Sequence, residues 1–223
     1  MAAQAQDHLA HPGADLLSAA ERGDARAVER LLKGGAPLDW QDARGRTALM
    51  AATQANHVAI AQRLIQAGSD VNQRDETMLS PYLCAGANGF DAIFRATMDG
   101  GADLRSLNRF GASPLLPAAE KGYLRTVQLC LDAGLAVDHV NGLGWTPLLE
   151  AVILGDGGRL FADVVATLSG ALNKAVKDPK YVETVTRRGS QQADASPAYF
   201  TGHLERERQR VERTVVKSAL KLD

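Results

Sequence analysis

The sequence predicts an all-α solenoid of helix–turn–helix layers with short hairpin loops, followed by a three-helix C-terminal tail. The main observation is a repeat of 33 residues, which equally spaced triplets reveal: Thr47-Ala48-Leu49, Ser80-Pro81-Tyr82, Ser113-Pro114-Leu115 and Thr146-Pro147-Leu148. Glycines keep the same spacing at Gly35, Gly68, Gly101 and Gly134. A fixed period of about 20–50 residues is typical of stacked structural repeats, in which no unit buries its apolar face alone.

Each unit carries local signals for two short helices. Thr or Ser followed by Pro predicts the start of the first helix, because the hydroxyl can cap free N–H groups and Pro fits the first helical position. A pair of small residues such as Ala51-Ala52 allows neighbouring layers to approach closely. One turn position precedes the second helix and is filled by Asn56, Gly89 and Gly122. The inward positions predicted for the second helix of the fourth unit are Val127, Leu129 and Leu131, and Gly134 is expected to end it.

The period and segments such as GRTALMAAT, GSDVNQRD and LLPAAEKGYLRTVQLCLDAG resemble ankyrin repeats over residues 14–158. The resemblance implies about five units, with residues 1–13 as a disordered terminus and the fifth unit completed by the helix that follows it. Met78 replaces a turn glycine, so we expect a distorted hairpin between the second and third units. Apolar residues replace the family's usual His at Met50, Leu83, Leu116 and Leu149.

The 33-residue sequence pattern ends near Gly158. Residues 1–158 contain 13 Lys and Arg against 18 Asp and Glu, whereas residues 159–223 contain 12 against 8. The tail, with Leu172-Asn173-Lys174-Ala175, Asp178-Pro179, Ser196-Pro197 and Lys221-Leu222-Asp223, resembles the end of the Bug-type solute receptors of tripartite tricarboxylate transporters. We interpret residues 159–223 as a fused helical segment of that origin. Its third predicted helix follows Ser196-Pro197, with Phe200, Leu204, Val211 and Val215 facing inward.

Composition and motifs argue against most other classes of function. The net charge of −1 and the absence of a basic stripe give no reason to expect nucleic acid. No apolar run is long enough for a membrane span, and no export signal is evident, which predicts a cytoplasmic protein, or a periplasmic one if a signal lies upstream. Cys84 and Cys130 are expected to be buried. No phosphate loop, catalytic motif or metal-ligand spacing occurs, so we expect no enzyme activity and no cofactor.

The ankyrin resemblance implies a protein-binding surface at the hairpin tips and on the exposed side of the first helices. Transferred by position, it consists of Arg44, Arg46, Gln54, Glu76, Leu79, Asn88, Arg109, Phe110, Glu120, Lys121, Leu143 and Trp145. Arg and aromatic side chains are frequent in interface hot spots, and Trp40 lies near this edge. For each residue the competing interpretation is a solvent-facing or internally packed side chain. The predicted partner is a protein of unknown identity, bound by a monomer.

The sequence is compatible with two alternatives to a protein-binding function. The tail's resemblance to carboxylate receptors leaves a solute-binding remnant open, although nearly all of the two lobes that form such a pocket is missing. The fusion could also have no selected role.

Overall fold

A computed structural model describes residues 11–154 and 159–187 of the chain. In these ranges every regular element is a helix: α1 (Pro12–Glu21), α2 (Ala25–Lys33), α3 (Ala48–Gln54), α4 (Val58–Gln66), α5 (Pro81–Ala87), α6 (Asp91–Asp99), α7 (Leu115–Glu120), α8 (Leu124–Asp132), α9 (Pro147–Leu154), α10 (Arg159–Ala175) and α11 (Pro179–Arg187). The chain divides into two compact units, residues 1–164 and 165–223. We describe each unit by itself.

The first unit is a solenoid of helix pairs, as the period predicts. The first helices of successive repeats contact one another in the order α1, α3, α5, α7 and α9, and the second helices α2, α4, α6 and α8 do the same. Small residues line the stack of first helices, where Ala51, Ala52, Ala118 and Ala119 are all fully buried. The absence of larger side chains at these positions allows the helices to pack closely.

The first helices begin at hydroxyl caps in three of the four predicted places. Thr47 Oγ1 accepts the N–H of Met50 at 3.1 Å, and Ser80 and Thr146 accept the equivalent N–H groups at 3.3 Å. The prediction is wrong for Ser113. There the N–H of Leu116 donates to the Ser113 carbonyl at 3.2 Å, so the buried hydroxyl has no partner among the described residues.

The buried face of the second helices differs from the prediction at one position. In α8 the buried residues are Thr126, Val127, Leu129 and Cys130, whereas Leu131 is only half-buried. Thr126 and Cys130, four residues apart, lie near the middle of the buried face, whereas Leu131 lies farther round the helix, beyond Val127 at the edge of that face. The prediction of a buried Cys84 and Cys130 is confirmed.

The hairpin that contains Met78 keeps the regular geometry, so the predicted internal distortion is wrong. Met78 adopts φ 64°, in the left-handed region where Gly45 (72°), Gly111 (69°) and Gly144 (82°) also lie. Its N–H donates to the Asp75 carbonyl at 3.0 Å, as that of Gly45 does to Asp42 at 2.9 Å. The residue thus accepts an unfavourable backbone conformation, because the fold around it fixes the turn.

The start of α1 corrects the predicted boundary of the terminal segment. Pro12 and Gly13 were assigned to residues 1–13, yet both belong to α1, where Pro occupies the first turn. Gly13 is buried, and a Cβ atom there would overlap the Trp40 side chain. This close packing gives the first residues of α1 a tertiary reason to be helical.

The tail begins with two helices, as predicted. Val164 and Leu168 of α10 are fully buried, and Asp178 Oδ1 accepts the N–H of Lys180 at 2.8 Å at the start of α11. The third predicted helix, with Phe200, Leu204, Val211 and Val215, lies outside the described residues. None of the helices that the structure describes is both long and apolar enough to cross a bilayer.

Candidate protein-binding surface

Four hairpins connect the layers, and an Asp or Asn at the start of each one builds it. We number them as the first (residues 42–46), second (75–79), third (108–112) and fourth (141–145) hairpins. The side-chain Oδ1 of Asp42, Asp75, Asn108 and Asn141 accepts two backbone N–H groups of its own hairpin, at distances between 2.9 and 3.1 Å. This arrangement fixes the backbone of each tip without help from neighbouring layers. These four residues are not among those predicted from the sequence, although they follow the same 33-residue spacing.

Backbone hydrogen bonds join two of the three pairs of neighbouring hairpins. The N–H of Glu76 donates to the Arg44 carbonyl at 2.8 Å, and that of Gly142 donates to the Phe110 carbonyl at 2.8 Å. The equivalent bond from Arg109 to the Thr77 carbonyl is absent from the described part of the chain. The surface is therefore continuous within the first two hairpins and within the last two.

The side chain of Met78 explains this interruption. A Cβ atom added to Gly45 would lie 3.3 Å from Asp75 Cα, and one added to Gly111 would lie 3.3 Å from the Gly142 nitrogen. Both glycines thus allow the next hairpin to approach at van der Waals limits. Met78 occupies the same position with a real Cβ, so the third hairpin cannot come equally close.

Arg46, a predicted binding residue, is held by internal partners. Its guanidinium pairs with Glu21 at 2.8 Å and with Asp42 at 2.9 Å, and its Nη1 lies 3.5 Å from Gln54 Oε1. The hydrogen bonds that Arg46 donates to Glu21 and, to a lesser degree, to Asp42 raise the pKa of Arg46. Burial alone would raise the pKa of Asp42, but hydrogen bonds from Arg46 and the Arg44 backbone lower it overall. These pairs tie the first hairpin to α1, which is the internally packed alternative for Arg46.

Two further predicted residues, Asn88 and Lys121, donate side-chain hydrogen bonds to backbone carbonyls of α5, one of the first helices. Asn88 Nδ2 donates to the Cys84 carbonyl at 2.9 Å, and Lys121 Nζ donates to the Ala87 carbonyl at 2.8 Å. Both side chains are exposed, but their side-chain nitrogen atoms already donate hydrogen bonds to carbonyls near the end of α5. Leu79, Glu120 and Trp145 are half-buried, whereas Arg44, Gln54 and Glu76 are exposed.

The third and fourth hairpins carry the most exposed apolar side chains of the predicted set. Leu143 is 68% exposed and Phe110 is 54% exposed, and they occupy equivalent positions in neighbouring repeats. The Arg109 guanidinium carbon lies 4.8 Å from the centre of the Phe110 ring. Ile153 and Leu154, at the end of α9, are exposed as well. The predicted residues therefore form a charged region at the first two hairpins and an apolar region at the last two.

A buried carboxyl group that is not among the predicted residues supports the fourth hairpin. Glu150 of α9 is buried, and its Oε1 accepts a hydrogen bond from Asn141 Nδ2 at 2.8 Å. Burial and, to a lesser degree, the charge of Glu120 raise the pKa of Glu150 to about 7. Since Asn141 Oδ1 holds the N–H groups of Leu143 and Trp145, Glu150 orients the residue that builds this tip.

Little else in the described residues suggests chemistry. They contain no group of three or more His, Cys, Asp and Glu residues that could hold a metal ion. Burial raises the pKa of Cys84 to about 11 and that of Cys130 to about 12, which keeps both thiols protonated at neutral pH.

Comparisons with known proteins agree with the geometry of the first unit. The family model described as "Ankyrin repeats (3 copies)" matches residues 14–75, and the one described as "Ankyrin repeats (many copies)" matches residues 115–161. The chain is also similar to the crystal structure of an ankyrin repeat domain from Acinetobacter baumannii AYE, with 42% sequence identity and a TM-score of 0.69. That match covers 79% of this chain and 92% of the other. The chain belongs to the ankyrin repeat family, whose members are generally protein–protein interaction modules. A search of curated proteins gives no match.

Proposed function

We propose that this chain is a non-catalytic module that binds a protein partner through its hairpin tips and the exposed side of its first helices, chiefly at the third and fourth hairpins. The observation that carries the proposal is the exposure of Phe110 and Leu143 on adjacent tips. Two large apolar side chains at equivalent positions of neighbouring repeats are costly to leave in water, and such clusters commonly mark interaction sites.

The rigidity of the two tips supports this proposal. The Gly142 N–H donates to the Phe110 carbonyl, and the side chains of Asn108 and Asn141 accept the N–H groups of Phe110 and Leu143. These bonds fix the backbone of both exposed residues before any partner binds. A preformed surface loses less conformational entropy on binding than a mobile loop does. The charged first and second hairpins, with Arg44 and Glu76 exposed, would supply a polar rim.

The test is to isolate a partner on the immobilised chain and then to measure its affinity for variants. The double change Phe110→Ala and Leu143→Ala should weaken binding at least roughly thirtyfold, as the loss of an interface hot spot does. Val140→Ala is the matched control, because Val140 is an equally exposed apolar residue outside the predicted set. Unchanged affinity in the double variant, with an unchanged urea midpoint, would overturn the assignment of the surface.

The resemblance of residues 160–223 to solute receptors stays a prediction from the sequence. A thermal-shift screen of the full chain with di- and tricarboxylates checks it, because a ligand that binds only the folded chain raises the melting temperature. No saturable rise at millimolar carboxylate would leave the tail without a receptor function.

A further inference from the structure

We infer that the partner segment carries large apolar side chains next to a carboxylate, with the apolar side chains on Phe110 and Leu143 and the carboxylate on Arg109. This inference rests on the proposed function and adds the chemistry of the partner to it. Three observations carry it: the state of Arg109, the charges of the four hairpins, and the equivalence of positions between repeats.

Arg109 is exposed and makes no ion pair with any carboxylate of the described residues. Arg46 and Arg63, in contrast, pair with Asp or Glu side chains at 2.6–2.9 Å. The Phe110 ring lies beneath the Arg109 guanidinium at 4.8 Å and limits its freedom. A guanidinium held against a ring keeps N–H donors in its own plane, where a carboxylate can accept two of them. Arg109 is therefore a positioned donor for which the described residues supply no carboxylate acceptor.

The charges of the hairpins select an acidic partner at this end of the surface. The first hairpin contains Asp42 beside Arg44 and Arg46, and the second contains Asp75 and Glu76 with no basic residue. In the third and fourth hairpins the equivalent structural positions hold the neutral Asn108 and Asn141, and neither hairpin contains Asp or Glu. Both amides accept the same backbone N–H groups as the carboxylates do, so the tips are built equally well without negative charge. Arg109 thus supplies the one formal charge of these two tips, and it is positive.

Equivalent positions extend the apolar contact from the tips to α9. At the first hairpin Arg46 reaches Gln54 of α3, at 3.5 Å between Nη1 and Oε1. The period of 33 places Trp145 at the position of Arg46 and Ile153 at that of Gln54. A polar pair at the first hairpin is thus replaced by an apolar pair at the fourth. A segment that binds across these two hairpins would meet the apolar side chains of Phe110, Leu143, Trp145 and Ile153 in addition to Arg109.

The test is a selection of random 12-residue peptides on the immobilised full chain, with no assumption about the natural partner. We expect the enriched sequences to combine two or more large apolar residues with at least one Asp or Glu. The enriched peptide should bind Arg109→Glu at least about tenfold more weakly than it binds the unaltered chain. A peptide with that acidic residue changed to Lys should recover affinity for Arg109→Glu. Arg95→Glu is the matched control, because it makes the same charge change at an exposed arginine of α6 outside the predicted surface, and its effect should stay below about twofold.

Several outcomes would overturn the inference. These are a basic or purely polar consensus, equal binding of the peptide to Arg109→Glu, or failure of the Lys peptide to recover affinity. A selection that enriches nothing would do so too, because the surface would then not recognise short segments. A natural partner that depends on Phe110 and Leu143 but is insensitive to Arg109→Glu would refute the inference while leaving the proposed function intact.

Discussion

Glycine at position 78 is expected to stabilise the chain relative to alanine, because the backbone there is left-handed. A residue with a Cβ atom at φ 64° carries a steric cost of about 1–2 kcal/mol. Glycine removes that cost but adds conformational entropy to the unfolded chain, which offsets roughly 0.4–1 kcal/mol. We therefore expect the free energy of unfolding of Met78→Gly to exceed that of Met78→Ala by about 0.5–1 kcal/mol. Both variants lose the same methionine contacts, so the difference between them isolates the backbone.

Urea unfolding of the two variants, followed by circular dichroism, measures this difference. With a slope of about 2 kcal/mol per molar urea, the midpoint of Met78→Gly should lie roughly 0.2–0.5 M above that of Met78→Ala. Glu76 gives a control with the opposite sign, since its φ is not positive and its side chain is exposed. Glu76→Gly should therefore be less stable than Glu76→Ala. An alanine variant at position 78 as stable as the glycine variant would refute the assigned strain.

Two further predictions concern the third and fourth hairpins. Asn108→Ala removes the acceptor of two N–H groups and should cost about 1–3 kcal/mol in urea unfolding, whereas Asn108→Asp should retain most of that stability; equal losses would contradict this. The pKa of Glu150 rises from 4.5 to about 7 on folding, so the free energy of unfolding should fall as the pH rises through that interval. Glu150→Gln keeps an oxygen for Asn141 but cannot ionise. Its urea midpoint should therefore rise relative to that of the unaltered chain between about pH 5 and pH 8. A difference between the two midpoints that does not change with pH would argue against the assignment.

The layers of this protein follow from its sequence, because the signals that define them are local. Thr47, Ser80 and Thr146 cap helices through N–H groups three residues away, and Gly35, Gly68, Gly101 and Gly134 all adopt positive φ where helices were predicted to end. Such interactions depend on neighbours within one turn and repeat every 33 residues. The period therefore predicts the helix pairs, their order and the position of every hairpin.

Tertiary contacts decided which residues of the predicted surface are available. Arg44 and Arg46 lie two residues apart with the same side chain, yet Arg46 is bound by Glu21 from the preceding layer and Arg44 remains exposed. The sequence also predicted a disturbance at Met78 but placed it inside the hairpin, whereas it lies between hairpins. The distance that matters there joins residues of different layers. The cap predicted at Ser113 is wrong, and Glu150 was not predicted, for the same reason: burial and partner geometry arise only when neighbouring layers stack.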